Sequence, residues 1–225
     1  MQKNPYKLPL YVFATVKEFL GVFPDCGAEK IGDRLPTDVF ELPRNLGFAC
    51  ILEMGLMRYG LGLYKTLTHC RENGLDFEYV VLAGICGAFP DRGVNVLDVV
   101  RVDCDIEDIG YENADGSLGR FEKYGYVRSS DPKDAPSVIR DLKSVTGVTV
   151  NCCTGTLATA TARSKMFNAD VESMEGAAGI AACNALGFRV YQVRAVSNIA
   201  STRDRSSWKI DEALKALKEQ VLDAR

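Results

Sequence analysis

Short apolar runs recur along the chain at intervals that suit buried strands: residues 8–14, 48–53, 79–83, 96–102, 148–152 and 188–197. Valine, isoleucine, leucine and aromatic residues dominate them with little polar alternation, the pattern of strands covered on both faces. Between the runs the apolar positions shift to helical spacing. Residues 56–71 and 135–145 read as amphipathic helices, and the Ala-rich stretches 158–167 and 174–186 as buried ones. Residues 211–222 form a last helix, with Ile210, Leu214, Leu217 and Val221 on one stripe. Strands alternating with helices predict an α/β fold around a mostly parallel or mixed sheet, in a single domain over residues 1–225. The longest polar interruption, 110–126, contains Asn113-Ala114-Asp115-Gly116-Ser117, which is turn chemistry for a hairpin tip or a loop near a site.

Composition narrows the class. With 225 residues and 47% hydrophobic content there is material for one sizeable core. A net charge of −3 and a pI near 5.4 argue against a nucleic-acid backbone or an anionic membrane surface as partner. The apolar run after Lys3 and Lys7 stops at Thr15, too short for a secretory signal, and no run approaches the roughly 18 residues of a membrane span. A cytoplasmic location is therefore expected. The eight cysteines form no C-x-x-C pair and His69 is the only histidine, so neither a metal site nor a cofactor is expected. The cysteines read as reduced, mostly buried thiols.

Several familiar motifs are missing. Gly84-Ile85-Cys86-Gly87-Ala88 follows a predicted strand but lacks the spacing of a dinucleotide fingerprint, and no helix pattern follows it. No Gly-Lys-Ser/Thr triplet marks a P-loop, and no G-x-S-x-G elbow marks an α/β hydrolase. His69 sits on an amphipathic helix, where a structural role outweighs a catalytic one.

Four segments stand out together: Ala14-Thr15-Val16-Lys17-Glu18, Gly84-Ile85-Cys86-Gly87-Ala88, Glu172-Ser173-Met174-Glu175-Gly176-Ala177-Ala178, and Arg194-Ala195-Val196-Ser197-Asn198 with Arg203-Asp204-Arg205-Ser206-Ser207-Trp208 after it. Their order and spacing resemble the nucleoside phosphorylase/nucleosidase superfamily from about Leu10 to Leu217. The Glu-Ser-Met-Glu-Gly-Ala-Ala form and the Arg-Asp-Arg-x-x-Trp tail are similar to the futalosine hydrolases within it. That resemblance implies hydrolysis of the N-glycosidic bond of a 6-oxopurine nucleoside, futalosine, releasing hypoxanthine on a menaquinone route. It also implies a central mixed β-sheet flanked by helices, and a homo-oligomer acting on a small molecule.

The resemblance assigns roles that suit the residue types. Cleaving a ribosyl–purine bond passes through an oxocarbenium-like sugar, so the ribose must be held, the departing base stabilised and a nucleophile placed opposite. Glu175 would hold the ribose hydroxyls and Met174 pack on the ribose or base. Asn198 would donate to O6 and accept from a protonated N7, which suits a 6-oxopurine. Glu18 would fix the attacking water. Thr15, Gly84, Ile85, Gly87, Cys152, Cys153, Ser197 and Trp208 complete the expected site, with the glycines allowing close backbone approach. Arg194 is expected to support the site by pairing with Glu172. Phosphorylases of the superfamily carry a phosphate-binding Arg and Ser where this chain has Leu82 and Ile85, which points to water as nucleophile. The alternatives are a purine nucleoside phosphorylase, a methylthioadenosine-type nucleosidase, and a catalytically silent nucleoside-binding protein.

Overall fold

A computed structural model of the chain describes residues 8–24, 29–30, 39–121 and 123–221. The N-terminal residues 1–7, Cys26 and Leu222 lie outside them. The first apolar run becomes β1 (Leu10–Phe13), buried at every position. It is followed by α1 (Val16–Val22), β2 (Glu29–Lys30), β3 (Val39–Leu42), β4 (Gly47–Ile51) and α2 (Leu56–Glu72). Next come β5 (Val80–Ala88), β6 (Val99–Glu107), β7 (Gly110–Glu112), β8 (Leu118–Arg120) and β9 (Tyr126–Arg128). The chain continues through α3 (Ser137–Arg140), β10 (Lys143–Thr149), α4 (Leu157–Phe167), β11 (Val171–Ser173), α5 (Gly176–Leu186), β12 (Val190–Ile199) and α6 (Ile210–Val221).

The central sheet is mixed, in the order β11-β10-β6-β12-β5-β1-β4-β3-β2, with β9 added on β6. Its middle strands lack polar alternation because helices cover both faces. Tyr11, Phe13, Val81 and Val193 pack against Phe19 of α1 and Leu214 and Leu217 of α6. Leu10, Val12, Val80 and Leu82 face the other way, onto Leu63 and Leu67 of α2 and Ile180 of α5. The α/β fold with flanking helices is the one expected from the pattern, and the central mixed sheet the one expected from the resemblance.

Strand β5 does two jobs. It pairs in parallel with β12 from Val80 to Ala88 and, over Val80–Leu82, with β1 on its other side. Its last two residues turn onto β11, where Gly87 faces Glu172 and Ala88 faces Val171 in antiparallel register. Because β11 also pairs β10, the path β5-β12-β6-β10-β11 closes on itself. This closure carries Ser173, Met174 and Glu175 to the end of β5.

Beneath the start of α5 lies a buried polar cluster. Asp105 is fully buried and accepts from Thr149 Oγ1 at 2.9 Å and Gln192 Nε2 at 3.0 Å. Thr149 Oγ1 in turn accepts from Ala177 N–H at 2.8 Å. Burial raises the Asp105 pKa, as expected for a carboxyl taken out of water.

Four expected elements differ. The helix over 135–145 is only the single turn α3, and Lys143 already starts β10. Its end is fixed from afar: Arg101 Nη1 donates to Ile139 O at 3.1 Å and Leu142 O at 3.3 Å, taking carbonyls a longer helix would need. Consequently the strand placed at 148–152 ends at Thr149, and the rest is loop. The strand placed at 96–102 starts at Val99, because Asp98 closes a turn on Asn95 N–H at 2.8 Å with Leu97 at φ +77°. The helix placed at 174–186 begins at Gly176, which frees Met174 and Glu175 from it. The 110–126 interruption is the β7–β8 hairpin, with Asn113–Ser117 at its tip.

Gly176 is where α5 meets the polar cluster: a Cβ there would stand 2.2 Å from Asp105 Oδ2 and 2.4 Å from Gln192 Nε2. Gly176→Ala should therefore destabilise the protein by about 1–3 kcal/mol, the usual cost of overpacking. Gly155→Ala, which meets nothing within 4 Å, should stay within about 0.5 kcal/mol of wild type. Urea unfolding of both variants checks this, and equal midpoints would contradict the close approach.

Candidate active site

A cavity of about 410 Å³ opens where β1, β5, β11 and β12 end. Thr15 caps α1: its hydroxyl accepts from Glu18 N–H at 3.1 Å and donates to Glu18 Oε2 at 3.1 Å. That reciprocal cap bends the Glu18 side chain back over its own helix start. Glu18 Oε1 then accepts from Ile85 N–H at 3.0 Å, and the side chain is only 6% exposed. Glu18 is thus held from two elements rather than lying on the surface beside Lys17.

Gly84 makes this possible. A Cβ there would lie 2.5 Å from Glu18 Oε1 and 2.6 Å from Arg194 Nη1. Arg194, projecting from β12, is 1% exposed. Its Nη1 stands 3.8 Å from Glu175 Oε2 and 3.5 Å from Ile85 O. Glu175 is the residue preceding α5, but its side chain does not cap that helix. Glu175 Oε1 instead accepts from Gly55 N–H at 3.4 Å. Burial pushes the Glu175 carboxyl above its ordinary range, Arg194 pulls it back, and the Glu18 charge adds to the rise.

The opposite wall is set by an irregularity in β12. Pairing with β5 shifts register between Val196 and Asn198, leaving Ser197 as the extra residue. Asn198 then faces Gly87, where a Cβ would lie 3.3 Å from Asn198 Nδ2. Ser197 Oγ donates to Asn198 Oδ1 at 2.8 Å, and Asn198 Nδ2 donates to Ile199 O at 3.2 Å, so both ends of the amide are fixed. Lys209 N–H donates to Ser197 O at 2.9 Å, which draws the tail with Trp208 alongside.

Of the expected site residues, Thr15, Glu18, Ile85, Gly87, Cys153, Met174, Glu175, Ser197, Asn198 and Trp208 line this one cavity. Two do not. Gly84 lies behind the wall, under Glu18 and Arg194. Cys152 is exposed and off the lining, since the loop turns its neighbour Cys153 inward instead. The expected Arg194–Glu172 pair is replaced: Arg194 meets Glu175, while Glu172 is taken by Thr154 and Arg163. Burial pushes the Cys86 thiol up to about 12 and raises that of Cys153, in keeping with thiols that serve as packing. Among the described residues no group of His, Cys, Asp and Glu could hold a metal ion.

Sequence reasoning missed Met54, Thr154, Glu172, Lys17, Arg203 and Arg205 as lining residues. The two arginines lay in the quoted tail, but nothing in the sequence showed that they face the cavity. Lys17 is paired with Asp211 at 3.0 Å, and Arg205 lies over the Trp208 ring at 5.8 Å. Leu82, one of the two positions read against a phosphate site, packs beneath α5 rather than into the cavity.

The chain belongs to the phosphorylase superfamily, whose family model matches residues 67–224. Within that class its curated relatives are futalosine hydrolases. It is 34% identical over 153 residues to that of Thermus thermophilus, covering 64% of this chain and 68% of the relative. It is 38% identical over 158 residues to that of Streptomyces coelicolor, covering 66% of each. The chain thus spans about two thirds of the length of the curated relatives it matches. The fold is shared with the native futalosine hydrolase of Helicobacter pylori (TM-score 0.76, 14% identity, 97% of this chain and 98% of that one). It is also shared with 5′-methylthioadenosine nucleosidase of Arabidopsis thaliana (TM-score 0.77, 17% identity, 98% and 95%).

The raised Glu175 pKa gives a pH dependence with a definite sign. If the ionised carboxylate holds a ribose, affinity for a nucleoside analogue is full above the folded-state pKa and falls as pH drops through it, above the ordinary value of 4.5. Stability moves oppositely. The fold binds this proton more tightly than the unfolded chain, so the stability from this group is greatest at low pH and declines as pH rises through the folded value. Binding isotherms across pH read the first effect, and affinity that stays flat down to pH 4.5 would contradict it.

Proposed function

We propose that this protein is a nucleosidase that hydrolyses the N-glycosidic bond of futalosine, releasing hypoxanthine and leaving dehypoxanthine futalosine, on a route to menaquinone. The observation that carries this reading is the convergence of Glu18, Glu175 and Asn198 on one cavity from three separate strand ends. The curated relatives supply the substrate.

In this reading Glu175 accepts hydrogen bonds from the ribose hydroxyls, and its charge favours the sugar as it turns cationic. Glu18, fixed by Ile85 N–H and Thr15, holds and polarises the attacking water. Asn198 donates to the oxygen of a 6-oxopurine as charge moves onto the base; it has no proton to supply as an acid. A phosphorylase is the second reading, because Arg203 and Arg205 line the cavity and offer cationic donors.

The reading includes a homo-oligomer in the cytoplasm. The assembly is supported by the apolar surface on α2, where Met57, Leu61 and Tyr64 are exposed. Light scattering reads the assembly, and a monomer at micromolar concentration would count against it.

Product analysis with futalosine, inosine and methylthioadenosine, with and without phosphate, tests the reaction. Hypoxanthine should appear from futalosine at the same rate in both conditions. Ribose 1-phosphate-type product and a rate that saturates with phosphate would establish the phosphorylase instead. Preference for the 6-oxopurine nucleoside over its 6-amino analogue should reach ~10⁴ in kcat/KM, since the wrong base leaves buried groups unpaired. Comparable values would show that Asn198 does not read the base.

The two glutamates should separate kinetically. Glu18→Gln is expected to leave analogue binding nearly intact and depress kcat by roughly 10²-fold. Glu175→Gln should weaken binding and lower kcat together. Loss of affinity in Glu18→Gln as severe as in Glu175→Gln would overturn this division of labour.

A further inference from the structure

The loop between β10 and α4 brings Cys153 and Thr154 to the cavity. It is held by a chain of charged contacts that starts outside the cavity. Thr154 N–H donates to Glu172 Oε1 at 3.0 Å, and its hydroxyl donates to Glu172 Oε2 at 2.6 Å. Arg163, on α4, donates from Nη1 to Thr154 Oγ1 at 2.7 Å and reaches Glu172 Oε2 at 3.4 Å. Its other edge grips Asp108, with Nε at 3.0 Å and Nη2 at 2.9 Å from Oδ2. The Arg163 side chain is 14% exposed and does not line the cavity.

Glu172 also joins this chain to the reaction centre. It faces Gly87 across the β5–β11 ladder, and a Cβ on Gly87 would touch Glu172 Cγ at 3.6 Å and Asn198 Nδ2 at 3.3 Å. The loop, Glu172 and Asn198 therefore share one wall. Glu175 is held separately, by Gly55 and Arg194.

We infer that Arg163 is a positioning residue for base discrimination: through Thr154 and Glu172 it fixes the loop that faces the base. The inference rests on the nucleosidase reading for what the cavity binds. Its physical basis is charge. Arg163 stands between Glu172 and Asp108, and only a planar fork serves the threonine hydroxyl and both carboxylates at once. Without it, two carboxylates face each other uncompensated and the Thr154 hydroxyl loses a donor, so the loop can move while the ribose end stays fixed. A loop free to adapt no longer punishes the wrong base with unpaired groups.

The test measures binding of free hypoxanthine and free adenine by calorimetry, with nucleoside turnover in parallel. The proteins are wild type, Arg163→Met, Arg163→Lys, Thr154→Val and Arg92→Met. Arg92 is the control, a guanidinium paired to Asp170 at 2.9 Å outside the cavity. Arg163→Met should lower the hypoxanthine-over-adenine affinity ratio at least ~10-fold, and in turnover should raise KM for the 6-oxopurine nucleoside far more than it lowers kcat. Arg163→Lys should recover part of the ratio by keeping the charge, and Arg92→Met should keep all of it. If Arg163→Met does not fold, Thr154→Val removes the same relay with little change in volume and should lower the ratio in the same direction. An unchanged ratio in the folded Arg163 and Thr154 variants overturns the inference, as does an equal loss in Arg92→Met. Absence of hydrolysis by wild type would overturn the proposed reaction and still leave the base-binding ratio to decide the role of Arg163.

Discussion

Two opposite charges crowd a space that one methyl group would fill, and a third stands beside them. Glu18 of α1 and Arg194 of β12 meet above Gly84, and Glu175, on the approach to α5, lies next to Arg194, all three with almost no exposure. Taking ions out of water costs several kcal/mol each, and attraction between them offsets that only when geometry and hydrogen bonds are good. Here they are incomplete. Arg194 meets Glu175 at 3.8 Å, beyond hydrogen-bond range, and its Nε and Nη2 have no hydrogen-bond partner among the described residues. A cluster of this kind does not stabilise a fold for its own sake. Glu175 makes the point through its proton: the state that suits stability is the neutral one, whereas holding a ribose calls for the charged one. Carboxyls perturbed in this way concentrate in functional clefts.

The sheet supplies the rigidity that such a cluster needs. Because β5 runs from β1 to β11, its backbone passes Glu18 at Ile85, Arg194 at Gly84 and Asn198 at Gly87 within a few residues. Each of the two glycines serves a close approach by a side chain from another element. The closure of β5 onto β11 then fixes Met174 and Glu175 relative to that backbone, with no loop in between to blur the distance. Helix α5 is seated by a different device, the buried Asp105–Thr149–Gln192 cluster, which a Cβ on Gly176 would break. Two glycines in one strand and one at a helix start thus set the site more strictly than its hydrophobic lining does.

The parts legible in the sequence were those decided locally. The buried strands and the flanking helices followed from apolar runs and spacing, since burial on both faces leaves that mark on each segment. Residues 135–145 show where such reading fails. Val138, Ile139, Leu142 and Val145 do keep helical spacing and are buried or partly so, yet the first two sit on one helical turn, Leu142 in the turn after it and Val145 in a strand. The deciding contact is Arg101 on the carbonyls of Ile139 and Leu142, some forty residues away in sequence. Partner choice failed for the same reason. Arg194 and Glu172 looked like a pair by residue type, but the antiparallel turn of β11 onto β5 points Glu172 at Thr154 and leaves Glu175 beside Arg194. Ten of the twelve expected site residues share one cavity because the four segments sit at the strand ends that face it. Arg203 and Arg205 carry no local signature of facing inward, and only the turn through Asp204 and Ser206 places them there.

The bulge at Ser197 links this architecture to the proposed chemistry. In a regular ladder without the bulge, Ser197 would take the place opposite Gly87 and Asn198 would point to the other face of β12, because side chains alternate along a strand. With it, the amide enters the cavity already oriented: Oδ1 is engaged by the Ser197 hydroxyl and one Nδ2 hydrogen by Ile199 O. What remains is a second Nδ2 hydrogen and a lone pair on Oδ1, a donor and an acceptor side by side. A 6-oxopurine offers the complementary pair once its N7 carries a proton, while a 6-amino group would set donor against donor. An aspartate at this position would reverse that preference by presenting acceptors alone. In the proposed reaction the identity of one side chain would select the base only because a backbone irregularity has first decided which way it faces.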